Sequence, residues 1–363
     1  MPFCTDLSDG RLIEGTAPIG RSLDLVRLAP FNAETPAAAL AHAVTPGSQT
    51  FVRSNFAVPT LAGESHRVAI TGAVRRELEI SVAELRSMRK SCRDVAVTME
   101  CAGNSRLHLC PLPAGELWSN GAVSTSRWTG YPLRLLLESA EPEERTVAIL
   151  VEGADSGATS GGSKTVFARS LPIAEAMRDE VLLAFDLNGE PLTAAHGAPV
   201  RLIVPGWYGM ASVKWVTRMS ALSQPFQGYF QNQRYIYEEP GRPTTPVTRM
   251  RVKSIITSPV DGATIERGSM EVAGWAWSGN GRIVRVEIAL DEGGGWRDAE
   301  LHPPHSSHAW VRWTLRCEPD QPGRHVLRSR ATDAAGNSQP DTIAWNRLGY
   351  GNNAVRPVVF TLE

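Results

Sequence analysis

The sequence predicts an α+β domain followed by an all-β, immunoglobulin-like sandwich, and three observations point there. At 363 residues the chain is too long for one ordinary core and suits two. Its first two thirds mix strand-like and helix-like periodicities, whereas its last third repeats short alternating apolar runs every ten or so residues. Between them, EEPGRPTTPVTRM (238–250) carries three prolines and a glycine, which interrupt any regular ladder.

Residues 1–50, rich in Ala and Pro, read as an extended arm packed on the core. In the region 51–240, HRVAITG and DVAVTME alternate like strands, while SVAELRSMRK and PIAEAMRDE have helical spacing behind Ser and Pro starts. In 250–363, VKSIIT, SMEVAGWAW, RIVRVEIAL, AWVRWTLR and HVLRSRAT read as strands, with DEGGGW as a hairpin loop and DAAGN as a turn.

Apolar residues make up 42% and charged residues 21%, the balance of a water-soluble globular chain, and no run is long enough to span a bilayer. Thirty-seven Lys and Arg nearly cancel 38 Asp and Glu, so no overall field favours nucleic acid or an anionic membrane, and any anion site must be local. The cysteines (Cys4, Cys92, Cys101, Cys110 and Cys317) are odd in number and form no CxxC, against a disulfide framework or a zinc site. The N-terminus lacks a secretory start and a twin-arginine pair, so a cytoplasmic chain is expected, or a periplasmic one if a leader has been removed.

Cys101 follows a strand-like run and opens CAGN, where a Gly-Asn turn lets the backbone be approached closely. Taken alone, such a cysteine is more often a packed core thiol. Arg53 and Arg106 are candidate anion holders, because guanidinium clamps oxyanions bidentately, although each alone also fits a solvated surface. His196, Arg201 and Lys214 lie in a Gly-containing segment suited to holding a phosphate, yet it matches no P-loop or dinucleotide fingerprint. Glu152 and Asp155 in VEGADSG read as loop residues capping backbone groups rather than as a catalytic carboxylate pair. HExxH, GxSxG and calcium-loop spacings are absent.

Four ordered segments, VTMECAGNSR, GAVSTSRWTGYPLRLLL, VLLAFDLNGEPLTAAHGAPVRLIVPGWYGMASVKW and VAGWAWSGNGRIVRVEIAL, resemble the sulfite oxidase family, and the likeness runs from Phe51 to the C-terminus. That family includes eukaryotic nitrate reductase and bacterial sulfite and sulfane dehydrogenases. The resemblance implies an α+β molybdopterin-binding domain of sulfite oxidase fold, followed by an immunoglobulin-like domain that makes a homodimer. Cys101 would be the thiolate ligand to molybdenum. Arg53, Arg106 and Trp118 would line the anion pocket, with Tyr235, or alternatively Tyr237, as the pocket tyrosine. The segment of Phe51, Val52, Arg53, Ser54 and Asn55 would contact the cofactor, and Asp155, His196, Arg201, Ser212, Val213 and Lys214 would hold the pterin and its phosphate.

Some positions depart from the animal enzymes. Asn55 replaces a His, Ser105 replaces an Arg, Arg234 replaces an Asp, and Arg347 in WNRLG lies one place from the family's substrate arginine. What the resemblance implies is oxidation of sulfite to sulfate by oxygen-atom transfer. With no haem or flavin segment expected in this chain, the electrons would leave to an external acceptor such as a c-type cytochrome. The alternatives are sulfane-sulfur oxidation or nitrate reduction on the same cofactor, or a catalytically silent pterin-binding dimer module.

Overall fold

The computed structural model describes residues 23–291 and 295–363; the start of the expected arm and residues 292–294 of the DEGGGW loop lie outside the described residues. Two five-stranded sheets organise the larger part. In the first, Arg93–Glu100 pairs with Val123–Pro132, which pairs with Leu182–Leu187, itself flanked by Glu190–Pro191 and Arg201–Ile203. In the second, Leu78–Ser81, Arg67–Gly72, Val216–Leu222, Ala148–Ala158 and Lys164–Pro172 run in that spatial order, with Arg67–Gly72 and Val216–Leu222 parallel. Both strands foreseen in this region, HRVAITG and DVAVTME, form there.

Helices are few and short. The first, Val82–Ser87, starts where the sequence places it: the Ser81 hydroxyl accepts from Glu84 N–H, and the Glu84 carboxylate accepts from Ser81 N–H at 2.7 Å. In Leu133–Ala140 the residues Leu133, Leu136, Leu137 and Ala140 are buried, the i, i+3, i+4, i+7 stripe that seats a helix on a sheet. PIAEAMRDE forms only one turn, Ile173–Ala176, because Arg178 is drawn to Glu175 and Glu180 and the next strand begins at Leu182. VEGADSG is not a turn either. It belongs to Ala148–Ala158, whose ladder is irregular between Glu152 and Ser156, so Asp155 sits on a bulge.

The Pro-rich break carries a two-residue ladder, Ile236–Tyr237 against Thr245–Pro246. Pro246 offers no N–H, and Val247 N–H donates to Tyr235 O instead at 2.9 Å. After it, a four-stranded sheet (Lys253–Ser258, Met270–Trp277, Val311–Cys317, Glu300–Leu301) faces a five-stranded one (Ala263–Ile265, Val358–Leu362, Gly323–Asp333, Ile283–Leu290, Arg297–Asp298). Val272, Trp313, Val286, Leu327 and Phe360 fill the space between them.

Met270–Trp277 is buried on both faces. Val272 and Ala276 point into the sandwich, while Trp275 and Trp277 join the larger core, where Trp275 stacks on Trp310 at 5.0 Å. A sandwich loop also covers the edge of Arg93–Glu100: Thr98 N–H donates to His308 O at 2.9 Å, and Trp310 N–H to the Thr98 hydroxyl at 2.7 Å. The second part of the chain therefore braces the strand that ends at Cys101.

Candidate active site

Where that strand stops, the chain turns tightly. Cys101 N–H donates to Ala122 O at 2.8 Å, Asn104 N–H closes the turn on Cys101 O at 2.9 Å, and Ser105 takes a left-handed φ of 66°. Gly103 lets the Arg106 guanidinium fold over the turn, since a Cβ there would lie 2.4 Å from it and the arginine would have to shift. Cys101 thus reaches a cleft lined by Phe51, Val52, Arg53, Ser54 and Asn55. Tyr235, Phe167, Asp155, His196, Arg201, Ser212 and Lys214 also line it.

At the thiol end, Arg53 donates to Asn32 Oδ1 at 3.3 Å, to Ser54 O, and to Asn55 Oδ1 at 2.8 Å. Asn55 Nδ2 then donates to the Tyr235 hydroxyl at 3.2 Å, so the amide at this position couples the arginine to the tyrosine. Burial opposes the Arg53 charge, but the Tyr235 hydroxyl and Cys101 sulfur beside it hold its pKa above the ordinary value. Burial pushes the Cys101 thiol up, and Arg53 and Arg106 pull against it.

Tyr235 lines the cleft, stacked on Tyr350 at 5.3 Å, whereas Tyr237 lies under Arg251 and is not part of the lining. Arg106 is buried behind Cys101 rather than in the cleft wall, with its Nε on Leu348 O at 3.0 Å and its guanidinium 5.1 Å from the Tyr350 ring. Burial lowers its pKa, and the nearby charges of Arg53 and Arg234 add to the lowering.

At the other end, cations are buried without carboxylate ion pairs among the described residues. Lys214 Nζ donates to Ser54 Oγ at 2.7 Å and Ala195 O at 2.9 Å, and burial drives its pKa well down. Burial lowers Arg201 to about 9; it donates to Ser212 O at 3.2 Å and His196 O at 3.3 Å. His196 is pushed by burial to about 4. Its Nε2–H donates to Thr50 O at 3.0 Å, which leaves Nδ1 to accept from the Thr193 hydroxyl at 2.8 Å. Asp155 keeps one oxygen without a partner, and burial raises its pKa to about 6. Gly153 leaves room for this packing, because a Cβ there would meet Asp155 Oδ1 at 2.6 Å and Lys214 O at 2.7 Å.

Besides Arg106, three expected site residues lie outside the cleft lining. Arg347 is half-exposed and bonded to Glu238 at 2.7 Å, outside the cleft lining, because WNRLG directs that side chain outward to a carboxylate. Val213 is fully buried in the main core and contributes a carbonyl that accepts Leu202 N–H at 2.8 Å. Trp118 is fully buried in the cluster that holds Cys101 and Phe51, with its indole N–H unpartnered.

The sequence reading missed Arg169. It is 1% exposed, its guanidinium lies 5.6 Å from the Tyr235 ring, and burial lowers its pKa to about 10. An arginine in the middle of the apolar run VFARSLP was the available signal.

His196 and Asp155 make the cofactor-free chain pH-sensitive in opposite senses. His196 binds its proton more tightly when unfolded (6.5 against about 4), so stability falls as pH drops through that window. Asp155 binds its proton more tightly when folded (about 6 against 3.8), so acid stabilises there. Asp155→Asn removes the compensation. The urea midpoint of the cofactor-free variant should fall more steeply from pH 6.5 to 4 than that of the parent; parallel profiles would refute the opposition.

Residues 55–230 match the oxidoreductase molybdopterin binding domain, and residues 244–361 match the Mo-co oxidoreductase dimerisation domain. Sulfite oxidase of Gallus gallus is 36% identical, with 90% of this chain and 75% of that one covered. Mitochondrial sulfite oxidase of Rattus norvegicus is 35% identical, over 90% and 63% respectively, so the chain spans under two thirds of that relative. The sulfane dehydrogenase SoxCD from Paracoccus pantotrophus superposes with a TM-score of 0.82 at 28% identity, covering 98% of this chain and 96% of that one.

The matches place the chain among proteins that carry an oxidoreductase molybdopterin binding domain. The chain belongs to the sulfite oxidase family. Its residues fit the cofactor: the cleft holds a soft sulfur donor together with buried cations, Lys214 and Arg201, that make no carboxylate ion pair among the described residues and suit a phosphate.

Proposed function

We propose that this chain oxidises sulfite to sulfate by oxygen-atom transfer and passes the electrons to an external acceptor such as a c-type cytochrome. The observation that carries the reading is the convergence of Cys101, Arg53, Asn55 and Tyr235 at one end of a cleft whose other end is cationic. Cys101 would ligate molybdenum, while Ser54, His196, Arg201, Ser212 and Lys214 would hold the pterin and its phosphate. When bound, the cofactor supplies the two-electron redox centre and the oxygen atom.

The chain's own residues bind and orient the anion. Arg53 meets the substrate charge, with Arg106 adding field from behind the thiol, which lowers the free energy of bringing a dianion to an electron-rich centre. Asn55 fixes both the Arg53 fork and the Tyr235 hydroxyl, so a proton can be held or released at a defined oxygen. Trp118, fully buried in the cluster that holds Cys101 and Phe51, would pack behind the pocket rather than line it.

Residues 51–240 would form the catalytic unit and 250–363 an immunoglobulin-like unit through which two chains pair, with 1–50 as an arm; the separate core between the two C-terminal sheets supports this division. Sulfane-sulfur oxidation is the second reading, favoured by the superposition on SoxCD over nearly the whole chain and by the absence of Arg347 from the cleft lining.

Molybdenum analysis combined with acceptor reduction by sulfite, a thiosulfate-derived persulfide and nitrate separates these readings. A metal-loaded protein silent with all three would reject catalysis. Arg53→Gln should chiefly raise the sulfite KM, by about 10- to 100-fold if one charge-assisted contact worth ~1.5–3 kcal/mol is lost. An unchanged KM would put the anion elsewhere.

A further inference from the structure

Behind the cleft a buried ammonium crosses from the C-terminal sandwich to the turn that carries Cys101. Lys253, 1% exposed, donates to Glu100 Oε1 at 3.1 Å, Ser105 Oγ at 2.8 Å and Asn352 O at 3.0 Å, so all three of its protons are used. Glu100 immediately precedes Cys101. Its carboxylate also accepts from Asn104 Nδ2 and from Trp277 Nε1, each at 3.0 Å. Ser105 precedes Arg106 and holds a left-handed φ, with its hydroxyl on Asn120 Oδ1 at 2.8 Å and its carbonyl accepting from Asn352 Nδ2 at 2.9 Å. One side chain therefore grips the turn on both sides, just before the thiol and just before the arginine.

We propose that Lys253 is a positioning residue for the reaction: supplied by the sandwich, it fixes the turn 100–106 and thereby sets where the Cys101 sulfur and the Arg106 guanidinium stand relative to each other. The inference rests on the reading of Cys101 as the metal's ligand.

Physical chemistry favours this role over simple reinforcement. A buried ion pair is seldom more stabilising than apolar side chains of the same volume, whereas its directional bonds select one geometry. Ser105 lies in a backbone region that non-glycine residues rarely adopt, and three polar contacts, two of them from the sandwich, determine it. The pair also leaves the Glu100 carboxylate compensated one residue from the sulfur, so losing the ammonium would place an unbalanced negative charge beside a thiolate.

The test uses the cofactor-loaded protein, compared at equal molybdenum content with Lys253→Met and with the double variant Glu100→Gln/Lys253→Gln. Lys253→Met should shift the thiolate-to-metal charge-transfer absorption and lower kcat per molybdenum by about 10- to 100-fold, the range for removing a partner that orients a metal ligand. The double variant removes the lone charge but supplies only two donors in place of three, so it should recover part of both readouts.

A single variant with the parent's spectrum and kcat, merely less stable, would overturn the proposal; so would a double variant as impaired as the single. If Lys253→Met yields no folded protein, Lys253→Arg decides on the same readouts, because a planar guanidinium cannot reproduce a three-pointed grip. An unaltered spectrum and kcat there would also overturn it. A parent protein lacking any thiolate band would reject Cys101 as ligand, a failure distinct from loss of the Lys253 role alone.

Discussion

Cofactor-loaded Cys101→Ser should show no sulfite-dependent acceptor reduction above background while its fold and pterin content stay close to the parent's. The substitution changes one atom in a site only 7% exposed, bounded by Phe51 and Trp118, and removes no packing of consequence. What it removes is a soft donor that can ionise. Arg53, Arg106 and the Gly103 N–H all favour the sulfur anion against burial. A serine hydroxyl in the same place ionises far less readily and offers a hard oxygen to a metal that must change oxidation state. Metal and pterin analysis, circular dichroism and turnover measured on one preparation check the prediction. Retained turnover in the loaded variant would remove Cys101 from the ligand position.

The turn at Cys101 was legible because its signal is local, an alternating run into strand Arg93–Glu100 and then Gly-Asn, whereas the thiol's reading as a ligand came only from the family resemblance. The sandwich strands were legible for the same reason, since period-two alternation and turn residues act over a few positions. Lys253 was not, because its meaning depends on Glu100, 153 positions earlier, and no short-range pattern marks a lysine that a strand will bury. Arg347 shows the converse. Sequence proximity to the family's motif suggested an anion ligand, but one register step turned the side chain toward Glu238, and a half-exposed ion pair settled its direction. Asp155 was read as a turn residue because Gly153 and Gly157 flank it. The two glycines instead permit close approach, to Lys214 O and to the Phe56 ring, within a bulged strand. Tyr235 and Tyr237 could not be separated by spacing alone, and the backbone at the Pro-rich break sends one into the cleft and the other under Arg251.

Lys214→Met should make the cofactor-free protein more stable and the cofactor harder to keep, and that opposition distinguishes a ligand-holding lysine from a structural one. Two of the ammonium's three protons have acceptors, Ser54 and Ala195, and beyond these it meets the Trp215 ring at 4.1 Å, so its charge has no carboxylate ion pair in a buried setting. Burial has already driven its pKa well down, a measure of how poorly the protein alone tolerates that charge. Methionine fills a similar volume without it, so the unfolding free energy of the cofactor-free variant should rise by about 1–3 kcal/mol, the desolvation penalty of an incompletely paired group. A bound phosphate reverses the balance: the spare proton and the charge then meet an anion, and losing one charge-assisted hydrogen bond of ~1.5–3 kcal/mol weakens retention by about 10- to 100-fold. Urea denaturation of the cofactor-free proteins, together with the rate of pterin loss from the loaded ones, measures the two arms. A variant that loses stability and cofactor together would make Lys214 part of the scaffold, and the cationic end of the cleft would need another explanation.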